Sequence, residues 1–103
     1  MVPDLTHQAT GSDDAVRYSR AVTLLEAEID SELVALDEAG GQCFGFNEVA
    51  TDVWRLLHKP RSFHEIRAAL LEAYEVDPVQ CSEELEELLT DLCARGLVSK
   101  TAI

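Results

Sequence analysis

The stretch QCFGFNE, residues 42–48, decides the fold of this chain. Its first five residues have alternating aromatic side chains, which is the period of a β-strand, with Phe44 and Phe46 on one face. A helix begins directly afterwards, because Asn47 is a favourable N-cap and Glu48 suits the positive end of a helix dipole. An uncharged strand without Lys or Pro has no protection against pairing with another chain. We therefore expect its open edge to bind a strand from a partner.

Two further strands are predicted before this one, over residues 21–29 and 32–36, with Asp30 and Ser31 as a two-residue turn. A second turn ends at Gly40 and Gly41. Consecutive hairpins place the middle strand in the centre of an antiparallel meander. The strand 42–46 is then an edge.

Three amphipathic helices are predicted after the meander. The first runs from Glu48 to His58 and is stopped by Pro60. The second begins with a capping box at Ser62 and runs to about Tyr74. The third spans residues 78–95, and its apolar positions form one stripe: Cys81, Leu85, Leu88, Leu89, Leu92 and Cys93. The prediction is an α+β, winged-helix-like fold, a three-stranded antiparallel sheet followed by three helices. Residues 97–103 are expected either to add a short strand or to pack loosely.

Length and composition indicate one domain. The chain has 103 residues, of which 47% are apolar, enough for a modest core. Residues 1–20 are mostly polar and are predicted to be a flexible N-terminal tail, which leaves residues 21–103 as the domain. The start of the chain has no signal-peptide pattern and no apolar run long enough to span a bilayer, so a cytoplasmic protein is expected.

The charge argues against two classes of partner. A net charge of −12 opposes binding to nucleic acid and to anionic membranes. The third helix carries Glu83, Glu84, Glu86, Glu87 and Asp91 against Arg95 alone. A winged helix that reads DNA would have a basic helix here, so a winged helix used for protein contact is favoured.

The residues that could carry chemistry do not form a known pattern. Cys43, Cys81 and Cys93 lack the spacing of a zinc site, and the sequence favours buried, reduced thiols. The three histidines have no neighbours that suggest a catalytic triad. We therefore expect no enzyme activity, no metal and no cofactor.

A set of short motifs, in order, resembles the PqqD-like family, also called RiPP recognition elements, over about residues 21–99. The matching pieces are Val34-Ala35-Leu36-Asp37, Gly41-x-x-Phe44-Gly45-Phe46-Asn47, Val53-Trp54-x-x-Leu57, Ile66-x-x-x-Leu70-x-x-x-Tyr74 and Leu92-x-x-x-Gly96-Leu97-Val98.

This resemblance implies a non-catalytic domain that binds the leader segment of a ribosomally made precursor peptide. The leader would add as an antiparallel strand to strand 42–46, in the groove beside helix 78–95. The implied peptide-binding residues are Gln42, Cys43, Phe44, Gly45, Phe46, Glu84, Leu85, Leu88, Asp91, Leu92 and Arg95.

Two kinds of function remain open at this point. The first is a leader-binding adaptor, most similar to those of lasso-peptide biosynthesis, which present the leader to a cysteine leader peptidase. A peptide chaperone for a radical-SAM enzyme is a close variant of it. The second is an acidic winged-helix regulatory or dimerisation module, in which the edge strand would pair with its own copy as a homodimer.

Overall fold

A computed structural model describes residues 16–102 of the chain. The element order is β1 (Val16–Arg20), β2 (Leu25–Ile29), β3 (Glu32–Asp37), β4 (Gln42–Phe46), α1 (Glu48–Leu56), α2 (Phe63–Ala73), α3 (Pro78–Ala94) and β5 (Val98–Ala102). These strands form two antiparallel sheets, a meander β2-β3-β4 and a pair β1-β5. The predicted α+β fold with a three-stranded sheet and three helices is confirmed, with the β1-β5 pair added to it.

Both turns of the meander form where the sequence predicts them. Asp30 and Ser31 have φ values of 51° and 70°, as a two-residue hairpin turn with two left-handed residues requires. Gly41, at φ 71°, donates its N–H to the carbonyl of Asp37 at 2.7 Å. The first strand of the meander begins at Leu25 rather than at residue 21, because residues 21–24 lead from one sheet to the other.

The three helices begin where the sequence predicts. Asn47 accepts a hydrogen bond from the Ala50 N–H at 2.8 Å, and Ser62 forms a complete capping box with Glu65. Asp77 caps α3 through the N–H groups of Val79 and Gln80. The helices end one or two residues earlier than predicted.

The strand β1 corrects the predicted domain boundary. Val16–Arg20 falls inside the stretch 1–20 that we assigned to a flexible tail, yet it pairs along its whole length with β5. Because β5 lies about 80 residues away in sequence, no local pattern indicates that the two strands pair. The C-terminal strand itself was anticipated. The rest of the predicted tail, residues 1–15, lies outside the described residues.

The core lies between the inner face of the meander and the helices, and Trp54 is at its centre. Trp54 is 0% exposed, and its indole N–H donates to Glu26 at 2.8 Å. Arg20 lies over the Trp54 ring, 4.5 Å from its centroid, and donates to the Trp54 carbonyl at 2.7 Å. Arg20 therefore fixes the end of β1 against the centre of the core.

Candidate functional site

Thr51, which lies between the ends of β3 and β4, shows which way the main-chain N–H and C=O groups of β4 point. Its hydroxyl accepts from the Leu33 N–H at 3.0 Å and donates to the Phe46 carbonyl at 3.3 Å. Leu33 and Phe46 are paired residues in the ladder. The N–H of Leu33 therefore points toward β4 and the C=O of Phe46 points toward β3, with the Thr51 hydroxyl between the two groups.

This arrangement determines which groups of β4 are free. Successive residues of an antiparallel strand direct their N–H and C=O groups to opposite sides. Since Phe46 faces β3, so do Phe44 and Gln42, whereas Cys43 and Gly45 direct both main-chain groups away from β3. Within residues 16–102, β4 pairs with β3 alone. Cys43 and Gly45 thus offer two N–H donors and two carbonyl acceptors on the open edge.

A groove of about 290 Å³ lies between this edge and α3. Its floor is formed by half-buried Phe44 and Leu88 and by buried Phe46 and Leu92. On its rim, the Arg95 Nε donates to the Asp91 carboxylate at 2.9 Å, in an exposed ion pair. The groove therefore combines unpaired main-chain groups on one wall, an apolar floor and charged side chains along the helix.

A second cavity, of about 230 Å³, continues from the groove past Leu88, which lines both. Its wall includes Tyr74, whose hydroxyl donates to the Asp52 carboxylate. This hydrogen bond, with partial burial, raises the pKa of Tyr74 to about 12. The phenol therefore stays neutral at physiological pH and fixes the position of the ring. Glu75 and Glu84 place acidic groups at the mouth of this cavity.

The structure brings together most of the predicted site residues. Eight of them line the groove: Cys43, Phe44, Gly45, Phe46, Leu88, Asp91, Leu92 and Arg95. Glu84 and Leu85 line the second cavity instead. Gln42 is exposed at the start of β4 and lines neither. Leu85 and Leu92 are almost fully buried, so they support the floor rather than project into the open space.

Sequence reasoning missed several lining residues. Val49, on the first helix, is 39% exposed and lines the second cavity. Asn47, the predicted N-cap of that helix, and Ala50 line the groove. Asn47 lies in the Phe-Gly-Phe-Asn motif, so its position next to the edge strand was the one available signal.

Cysteine burial is a further correction. Cys81 is buried and Cys93 is half-buried, but Cys43 is exposed, so the interpretation of buried thiols is wrong for Cys43. Alternation explains this result, because Phe44 and Phe46 occupy the inner face and leave Cys43 on the outer one. Within residues 16–102, no three His, Cys, Asp or Glu side chains are grouped as metal ligands would be. No helix in that part of the chain is long and apolar enough to cross a membrane.

Comparisons with known proteins agree with this geometry. The family model for coenzyme PQQ synthesis protein D (PqqD) matches residues 32–98. A solved structure described as TbiB1 in complex with the TbiA(beta) leader peptide has a TM-score of 0.69 and 28% identity, over 79% of this chain and 94% of that one. Another, lasso peptide synthetase B1 complexed with the leader peptide, has a TM-score of 0.67 at 22% identity, over 80% and 96%. This second likeness shows the fold alone. No curated protein sequence matches the chain.

Proposed function

The chain belongs to the PqqD family, and from this premise we propose that it is a non-catalytic adaptor that binds the leader segment of a ribosomally made precursor peptide. The observation that carries the proposal is the open edge of β4. Cys43 and Gly45 direct main-chain donors and acceptors away from the sheet, directly beside a groove with an apolar floor. Two solved structures similar to this chain are complexes with a leader peptide.

The leader binds by adding a strand to the meander. Its main chain pairs with the N–H and C=O groups of Cys43 and Gly45, which supplies affinity without regard to sequence. Alternate side chains of the leader then enter the groove over Phe44 and Leu88. Because these contacts depend on side-chain size and polarity, the groove supplies the specificity.

The adaptor presents the bound leader to a processing enzyme in the cytoplasm. The resemblance to the leader-binding adaptors of lasso-peptide biosynthesis implies that this enzyme is a cysteine leader peptidase. Membership in the PqqD family keeps delivery to a radical-SAM enzyme as the alternative. Neither role requires catalysis by this chain, because binding alone raises the local concentration of the leader near the enzyme.

Chemical-shift mapping with the precursor leader encoded nearest this gene tests the proposal. We expect the largest amide shifts at residues 42–46 and along α3 from Cys81 to Arg95, because the added strand lies between them. The amides of α2 (Phe63–Ala73) serve as the internal control and should move little. Shifts centred on α2, or no binding at tens of micromolar leader, would contradict the proposal.

The rim of the groove should control how fast a leader arrives. Asp91→Lys reverses a charge at the groove and places a second cation beside Arg95. For a leader with basic residues, we expect the association rate at low salt to fall roughly 2- to 10-fold, since rim charges act mainly on encounter. Stopped-flow fluorescence with a labelled leader measures this rate.

Glu86→Lys is the matched control, because it makes the same charge change on α3 at a residue outside the groove and the second cavity. It should slow association less than Asp91→Lys does, and high salt should reduce the difference between the two variants. Equal rates for the two variants would show that net charge, rather than the rim, steers the peptide.

A further inference from the structure

The meander has a second apolar face, which the groove reaches only at its β4 edge. We define the outer sheet face by eight residues whose side-chain positions alternate with the buried ones: Leu25, Ala27, Ile29, Glu32, Val34, Leu36, Cys43 and Gly45. Glu32 is the only charged member. The large side chains are strongly exposed, with Leu25 at 54%, Ile29 at 60%, Val34 at 37% and Leu36 at 39%.

The fold gives no reason for this composition. The helices pack against the inner face, where Leu33, Ala35 and Phe46 are buried. An antiparallel sheet with one covered face normally alternates apolar and polar residues. This sheet is apolar on both faces, and the outer one is exposed to solvent in the structure of residues 16–102. Contiguous exposed patches of this kind mark interaction sites.

All charged residues of the meander itself are acidic. Residues 21–54 contain no Lys or Arg, and the meander has six acids: Glu26, Glu28, Asp30, Glu32, Asp37 and Glu38. Arg20 and Arg55, just outside this stretch, pair with Glu26 and Glu28 on the inner side. The outer sheet face therefore has an acidic border, formed by Asp30 and Glu32 at one turn and by Glu38 at the other.

The acidic border indicates which kind of partner binds the outer sheet face. A second copy would bring two identical acidic borders together. A partner with an apolar patch bordered by Lys and Arg gains from both the face and its border.

We propose that the outer sheet face is the docking surface for the processing enzyme, which contacts it through an apolar patch bordered by basic residues. This inference rests on the proposed function. The groove shares only Cys43 and Gly45 with the outer sheet face, so a bound leader leaves the β2 and β3 part of this face free for the enzyme. A leader strand on β4 also continues the same sheet beside Cys43 and Gly45, so an enzyme docked on the outer sheet face lies against the leader.

The double variant Leu25→Thr/Ile29→Thr tests the proposal. Both residues are on β2, two strands away from β4, and threonine is a β-branched residue that strands favour. Val79→Thr is the matched control, because Val79 is 66% exposed and lies outside the meander. Each purified protein is titrated with a labelled precursor leader and, separately, with the leader peptidase encoded nearest this gene.

We expect the double variant to bind the peptidase roughly tenfold more weakly, because it removes the two most exposed large apolar side chains of the face, with leader affinity unchanged within twofold. Val79→Thr should match the parent in both titrations. Unchanged peptidase affinity in the double variant overturns the docking surface and leaves the proposed function intact. Absence of leader binding by the parent overturns the proposed function, and the docking surface with it. A parent dimer that the double variant abolishes, measured by sedimentation velocity, assigns the face to a second copy and overturns the inference.

Discussion

Trp54→Ala should leave the domain poorly folded at room temperature. The side chain is 0% exposed, and the centroid of its ring lies 5.6 Å from that of the Phe46 ring. Removing a fully buried large side chain lowers the free energy of unfolding by about 3–5 kcal/mol, because the transfer energy is lost and a cavity remains. A domain of this size has about 5–15 kcal/mol in total, so the change removes a large share of it.

The loss extends beyond the ring, since three elements meet at Trp54. Glu26 on β2 loses its indole donor, and Arg20 on β1 loses the ring beneath its guanidinium group. Urea denaturation followed by far-UV circular dichroism measures the effect. Trp54→Phe is the matched control, because it retains an aromatic ring but removes the N–H, and the loss should be smaller. A Trp54→Ala protein that unfolds at the same urea concentration as the parent would contradict this account of the core.

Features set by neighbouring residues were predictable from the sequence. The turn at Asp30 and Ser31, the capping box at Ser62 and the strand Gln42–Phe46 each depend on a few adjacent residues, and all three are present. The groove was predictable to the same degree, because alternation in β4 and helical spacing in α3 fix which residues face each other.

Features set by distant residues were not predictable. The strand β1 contains Tyr18 between Arg17 and Ser19, and nothing in this short run indicates a partner at Val98–Ala102. Thr51 looks like an ordinary helix residue, yet its hydroxyl connects Leu33 and Phe46 across the ladder. Both depend on tertiary packing, which overrides local propensity. Missing β1 placed the domain boundary five residues too late.

Gly45→Pro should weaken leader binding about tenfold or more while the domain stays folded. The N–H of Gly45 points to the open edge, so proline removes a donor that the leader uses and that β3 does not. A leader carbonyl left without its donor costs about 1–3 kcal/mol, which corresponds to roughly 5- to 150-fold in affinity. The proline ring also occupies the side of the strand that the leader approaches.

Gly45→Ala is the matched control for this prediction. Alanine keeps the N–H, and a Cβ at this position would meet nothing within 4 Å, so its leader affinity should stay close to that of the parent. Fluorescence anisotropy with a labelled leader gives the dissociation constants, and thermal melting confirms that both variants are folded.

Phe44→Pro provides the opposite case, because the Phe44 N–H faces β3 and its loss breaks the ladder inside the domain. This variant should lose thermal stability as well as leader binding, whereas Gly45→Pro should lose mainly the binding. If Gly45→Pro and Gly45→Ala bind the leader equally well, the leader does not pair with this edge. If Gly45→Pro destabilises the fold as much as Phe44→Pro does, the Gly45 N–H points toward β3 and our assignment of the open edge is wrong.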